Sequence, residues 1–467
     1  VLKPRTRPGK PLVDVLDLKD VTIELEVTPN RADALSHLGL ARELAAIYRL
    51  PLPKLSIRVR ESGVAAANLT RVEIKDKRCV RYAARVLSGL KVGPSPQWLQ
   101  RRLRSVGFMP VCNVIDAANL VMVEIGQPLQ SFDLDRLAPE RIMVRAARAQ
   151  ESLDLPDGAH VLTPEDLVVA ADQKPIALAG VAIDSNVAVR AQTVRVLLTA
   201  GVFEPTAIYK AARKHQNQTE STLRLEHGVD PEAVERALDR CAQLILELAD
   251  GVVHKGGLVA EKAILAPKSL SIRPQRATQV LGRPVEKKEI REALVALGLR
   301  PIRRPSKRPT KKTSSRKAAA AAEALFFQVP SWRADLESED DLIAEVVRLA
   351  GLDELPAALP SGPSRPWTSG VPFAPEDAAR DVLVGEGFLE AISSAFHDER
   401  VVEVFGYDGR APVRLDNPLD EDRAFMRLSV LPALLEAARL NQGAVPSMTD
   451  LRLFEVGRTF RWSYPQP

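Results

Sequence analysis

FFQVPSWRADLESEDDLIAEVVRLAG, residues Phe326–Gly351, decides how the middle of this chain folds. FFQVPSW reads as a strand, and ESEDDLIAEVVRLAG reads as an amphipathic helix with acids on its polar face and a glycine at its end. Three carboxylates stand out. Asp341 and Glu345 are four residues apart and share one helical face, while Asp335 sits on the turn before it. Hard oxygen ligands across a turn and a helix start suit Mg²⁺, which keeps several waters and needs few carboxylates. Acids at a helix start also complement the macrodipole with no metal present, so spacing alone leaves both readings open.

Outward from this stretch, Ser271–Leu299 reads as a strand and two short helices, RPQRATQVLG and VEKKEIREALVALG, each closing on glycine. Between Arg300 and Lys317, nine of eighteen residues are Arg or Lys, and an alanine run follows. The charge there would suit RNA phosphates, but we read it as a solvated low-complexity insertion between two strands. A Pro-rich connector, Leu355–Pro375, precedes a last segment, Ala379–Trp462. That segment contains a helix at Leu431–Leu440 and a final strand in LRLFEVGRTF. Near the start, VTIELEV at residues 21–27 alternates like a half-buried strand. TPNRAD then leads into a helix over Ala34–Tyr48, with Asp33 as its cap. From Tyr82 to Val253, strands such as Arg141–Arg145, Leu167–Ala171 and Val194–Leu198 alternate with helices such as Gln97–Gly107, predicting one α+β domain. The RRLRSVG run within it reads as a solvated face.

At 467 residues the chain has room for roughly three to five domains. Aromatics are only 4% of the chain, so Ala, Leu and Val must fill the cores. The net charge of +5 is compatible with a polyanionic partner, although much of the excess lies in the basic segment. Cys79, Cys112 and Cys241 are too far apart for a paired motif, which argues against a disulfide framework or a zinc site and for a reducing cytoplasm. No uncharged apolar run approaches the roughly 18 residues of a membrane span. Val1 and the closing RWSYPQP predict a piece of something larger.

Five segments resemble, in order, the β subunit of bacterial phenylalanyl-tRNA synthetase. They are Thr28–Tyr48, Arg81–Leu103 (RYAARVLSGLKVGPSPQWLQRRL), Asn113–Leu137 (NVIDAANLVMVEIGQPLQSFDLDRL), Val329–Gly351 and Leu415–Gln442 (LDNPLDEDRAFMRLSVLPALLEAARLNQ). The resemblance implies an α+β multidomain chain that lacks the family's N-terminal oligonucleotide-binding and C-terminal anticodon-binding domains. Residues 1–70 would be an α/β segment and 71–265 an editing-type domain. Residues 266–358 would be a winged-helix-like module with the basic insertion at 303–324, and 359–467 part of a class II synthetase-like, antiparallel-sheet domain without catalytic function. Phenylalanine activation with ATP, and transfer to tRNA, would belong to an α subunit in an (αβ)₂ assembly in the cytoplasm. This chain carries no Walker-type phosphate loop.

The resemblance also assigns sites. Asp335, Asp341 and Glu345 would belong to a Mg²⁺ site at the α interface, with Ala344 where the family has a fourth acid. The editing pocket, which hydrolyses mischarged tyrosine, would involve Asn119, Gln130, Asp184, Glu220 and His227. Gln130 replaces a histidine, and glutamine has no group that titrates near neutral pH, so it is no general base. Two glycines are missing near Val181–Ile183, and an arginine is replaced by His227, which we read as a structural hydrogen-bonder. The fold of this domain is expected to persist with hydrolysis weak or absent. Another functional class is a non-enzymatic tRNA- or partner-binding scaffold derived from the subunit. A free-standing editing hydrolase is opposed by the altered motifs.

Overall fold

CVRYAARVLS, Cys79–Ser88, feeds two hydrophobic cores at once. Side chains on a strand alternate faces: Tyr82, Ala84 and Val86 enter one core, and Ala83 and Leu87 the other. The neighbouring strand Val196–Phe203 is buried at every residue for the same reason, sending Leu197 and Phe203 one way and Val196, Leu198, Ala200 and Val202 the other. These strands pair antiparallel in the middle of a six-stranded sheet ordered Glu61–Ala65, Val252–Lys255, Cys79–Ser88, Val196–Phe203, Gln130–Asp133, with Leu258–Glu261 also paired to Cys79–Ser88. The computed structural model describes residues 9, 11–15, 19–137, 141–262, 266–303, 324–355, 357, 359, 362, 374–405, 412–445 and 450–461.

One face of this sheet is covered by the helices Asn113–Ile125 and Val234–Ala249. The second presents Val234, Ala237, Leu238, Cys241, Ala242 and Ile245 at helical spacing into the core. The opposite face packs on a five-stranded sheet ordered Ala182–Ile183, Lys174–Leu178, Leu167–Ala171, Ile142–Ala146, Val72–Ile74. The result is three layers: helices, mixed sheet, second sheet. A hairpin, Ser152–Leu155 with Gly158–Val161, lies beside the second sheet.

A third core gathers around a three-stranded antiparallel sheet, Ser269–Ile272, Leu325–Gln328 and Arg300–Ile302, with the helices Pro274–Leu281, Lys287–Ala296 and Glu339–Ala350. Arg300–Ile302 pairs directly with Leu325–Gln328. The basic run between them lies, from residue 304 to 323, outside the described residues. Ala46, from the N-terminal helix His37–Tyr48, completes this core.

Three local expectations are corrected. VTIELEV forms no strand: Val21 is 83%, Ile23 75% and Leu25 53% exposed, because the alternating pattern has no paired partner among the described residues. Strand character in the N-terminal segment is carried instead by Glu61–Ala65, which joins Val252–Lys255 in parallel. The cap of the N-terminal helix is Ser36, whose Oγ accepts from Gly39 N at 3.0 Å, while Asp33 lies in a short 3₁₀ turn, Ala32–Leu35. In the C-terminal segment, LRLFEVGRTF pairs only over Leu453–Phe454.

The chain divides into two units, residues 1–358 and 359–467. Among its described residues the second contains the helices Ala374–Gly385, Glu399–Val404 and Leu431–Ala444 and two two-stranded ladders, Leu389–Glu390 with Leu453–Phe454 and Phe396–His397 with Phe425–Met426. Buried Arg427 organises its centre by pairing with Glu455 and donating to Arg458 O at 2.8 Å. No helix among the described residues is long and apolar enough to cross a membrane.

Candidate functional site

The three acids around the helix Glu339–Ala350 point to different partners. Asp341 occupies the third helical position and closes a capping box. Its Oδ2 accepts from Ser338 N at 2.7 Å, Glu337 N at 2.8 Å and Ser338 Oγ at 2.9 Å. Although burial works the other way, those bonds lower its carboxyl below the ordinary range. Asp335 and Glu345 instead converge on Arg333, which is 2% exposed. Arg333 grips Asp335 with two bonds, Nε to Oδ1 at 2.8 Å and Nη2 to Oδ2 at 2.7 Å, and reaches Glu345 Oε2 through Nη1 at 3.1 Å. Burial would raise the Glu345 carboxyl, but hydrogen bonds from Arg348 and Arg333 outweigh it and hold it down at about 2.

Where a three-carboxylate site would place Mg²⁺, Arg333 therefore supplies the positive charge. No group of three His, Cys, Asp or Glu side chains able to hold a metal occurs among the described residues, and these acids as arranged do not fit one. Ala344 lies on the exposed side of the same helix. The pairing continues outward: Arg348 Nη2 binds Glu345 Oε2 at 2.6 Å, Arg348 Nη1 binds Glu43 Oε2 at 2.8 Å, and Glu43 Oε1 takes Arg31 Nη2 at 2.6 Å. Arg31 ends the chain of pairs on Asp33 at 2.9 Å. Arg42 adds a stacked contact, its guanidinium carbon 3.9 Å from the Trp332 ring centroid. The acids were legible in sequence. Arg333, Arg348, Glu43 and Arg42 were passed over, and the WR pair at 332–333 was the available signal.

Among the described residues, those assigned to an editing pocket are not brought to one cavity. Gln130 lines a narrow cavity with Tyr82, Gly180, Gly201, Phe203 and Leu225, and its amide donates to Leu178 O at 3.4 Å. A Cβ on Gly180, whose φ is +71°, would fall 2.5 Å from Leu225 Cδ1, so the walls are already in contact. Ala182 and Ile183 pair with Leu178 and Ala177, placing the shortened turn at a sheet edge. Asp184 is buried and holds backbone: it accepts from Asn186 N at 2.8 Å and Asp154 N at 3.2 Å. Glu220 faces an open depression and pairs with Arg224 at 2.6 Å. The Nδ1 of His227 lies 2.7 Å from Leu223 O, one turn back in its own helix. Asn119 sits half-buried on Asn113–Ile125 and lines neither space.

Three family models match in succession: the B3/4 domain over residues 78–250, the tRNA synthetase B5 domain over 270–352 and the phenylalanyl tRNA synthetase beta chain CLM domain over 355–467. The chain is similar along its length to the phenylalanyl-tRNA synthetase beta subunit. Among its relatives, the phenylalanine–tRNA ligase beta subunit of Anaeromyxobacter dehalogenans is 40% identical over 98% of this chain, and that of Syntrophotalea carbinolica is 38% identical over the same share. The chain spans 56% of the length of each. A solved N-terminal fragment of the beta-subunit from Pyrococcus horikoshii aligns with 69% of this chain and 84% of its own at 14% identity. Its TM-score of 0.33 is too low to add to the argument. Within the family frame, the three-layer body falls in the B3/4 match and the Arg333 cluster in the B5 match.

Proposed function

We propose that this chain acts as part of the β subunit of a phenylalanine–tRNA ligase, supporting ATP-dependent attachment of phenylalanine to its tRNA by an α subunit that holds the catalytic centre. The succession of B3/4, B5 and CLM matches along one chain carries this reading. The sheet-and-helix module at 269–350 is assigned the winged-helix-like role, and residues 359–467 the class II synthetase-like, non-catalytic role. The expected assembly is (αβ)₂, in the cytoplasm, with phenylalanine tRNA as the nucleic-acid partner.

Side-chain geometry supports two finer assignments. Asp335 and Glu345 act structurally, their charge balanced by Arg333, and Asp341 acts as a helix cap; no step of the reaction is routed through Mg²⁺ at this place. Tyrosine editing is weak or absent: Gln130 offers no general base, and Asp184, Glu220 and His227 are committed to separate local contacts. Co-expression of the full-length subunit with its α partner tests the assembly. Co-elution at the mass of two α and two β chains is expected, whereas separate elution of a folded β chain would overturn it.

A further inference from the structure

Away from the acids and the editing-type cavity, two histidines meet. His160 lies on the hairpin strand Gly158–Val161, and His215 ends the helix Pro205–Lys214. Their Nδ1 atoms are 3.4 Å apart, with ring centroids 5.5 Å apart and planes tilted by 57°. Each ring turns its other nitrogen toward an acid. His160 Nε2 is 3.0 Å from Asp157 Oδ1, and His215 Nε2 is 3.3 Å from Asp166 Oδ1 at ion-pair distance. His215 is buried, and its Nε2 has no aligned hydrogen-bond partner.

A proton alone serves this arrangement poorly. Ionised carboxylates only accept, so both Nε2 atoms should carry hydrogen; a further proton between the Nδ1 atoms would then make one ring cationic. A metal ion needs no such charge on the rings. Metal-bound histidines usually present their second N–H to a carboxylate or carbonyl; His160 Nε2 is placed to do so toward Asp157, and His215 Nε2 lies at ion-pair distance from Asp166. Two imidazole nitrogens at about 2.0–2.1 Å from a tetrahedral ion lie about 3.4 Å apart, matching the observed separation.

We propose that His160 and His215 form a two-histidine site for a divalent transition-metal ion of the zinc class, with Asp157 and Asp166 as outer partners and water in the remaining positions. Imidazole ligands select such ions over Mg²⁺ and Ca²⁺. The ion ties the hairpin Ser152–Val161 to the end of Pro205–Lys214. That hairpin also carries Asp154, whose N–H is held by Asp184, so the clamp steadies the turn that follows Gly180.

The test uses the full chain, stripped by chelator and titrated with Co²⁺, then with Zn²⁺ in competition. The expected result is one Co²⁺ per chain with visible bands of a nitrogen–oxygen site, displaced by Zn²⁺ and unchanged in Cys112→Ser. His160→Ala, in a partly exposed hairpin, should fold as judged by circular dichroism and bind about tenfold or more weakly. His215→Gln should behave likewise. Failure of the unsubstituted chain to bind, equal binding by His160→Ala, or a thiolate-to-cobalt band lost in Cys112→Ser would each overturn the proposal.

Discussion

Arg333 and Glu345 meet in the interior, with both side chains almost wholly buried and Arg333 Nη2 3.1 Å from Glu345 Oε1. Twelve residues apart in sequence, they join the turn after Leu325–Gln328 to the helix Glu339–Ala350. Asp335 on one side and Arg348 on the other make the pair part of a four-residue group of alternating charge. A buried pair of this kind contributes little net stability relative to an apolar substitute, but losing one partner strands the other.

Arg333→Ala therefore leaves Asp335 without its cation and Glu345 with Arg348 alone. A loss of about 3–5 kcal/mol in unfolding free energy is expected, read by urea denaturation. A loss below about 1 kcal/mol, the value of an exposed pair, would show the group to be solvated.

Glu345 also sets a pH dependence. Its carboxyl is held at about 2 in the folded chain, below the ordinary glutamate value, so its pairing stabilises the fold above that ordinary value. The contribution is lost as pH falls from about 4.5 toward 2. The melting temperatures of the unsubstituted chain and Glu345→Gln should differ at neutral pH and converge across that window. A constant difference down to the lower end would contradict the assignment.

The acids as arranged leave Mg²⁺ without a three-carboxylate site. Adding millimolar Mg²⁺ to metal-free protein should leave the melting temperature unchanged, since a ligand stabilises only in proportion to its binding. A saturable rise, abolished in Asp335→Asn, would restore the metal reading.

In the B3/4 domain, placing histidine at position 130 should not confer hydrolysis. Tyrosine release from mischarged tRNA is expected to stay near background for the full-length protein and for Gln130→His alike, because the side chain sits in a narrow cavity closed by Leu225 and Phe203. Rapid release by the unsubstituted protein would contradict this.

Sequence showed much of this, and its failures have physical causes. The helices Gln97–Ser105 and Glu339–Ala350 and the strands Ile142–Ala146 and Leu167–Ala171 stood out by periodicity, which burial on one face imposes. VTIELEV has the same kind of signal without a strand, since alternation marks a capacity for pairing and cannot supply the partner. Asp33 and Ser36 are both good caps by residue type; the intervening 3₁₀ turn, visible only in the fold, decides for Ser36. Spacing found Asp335, Asp341 and Glu345, but it does not say which cation each carboxylate faces. His160 and His215, 55 residues apart, offered no local pattern at all.

The most direct test of the β-subunit account is phenylalanyl-tRNA formation by a purified α subunit, with and without the full-length version of this chain. Activity that requires both is predicted. No activity from a folded complex, when the same α preparation works with another β subunit, would contradict the account and leave a scaffold that does not support aminoacylation.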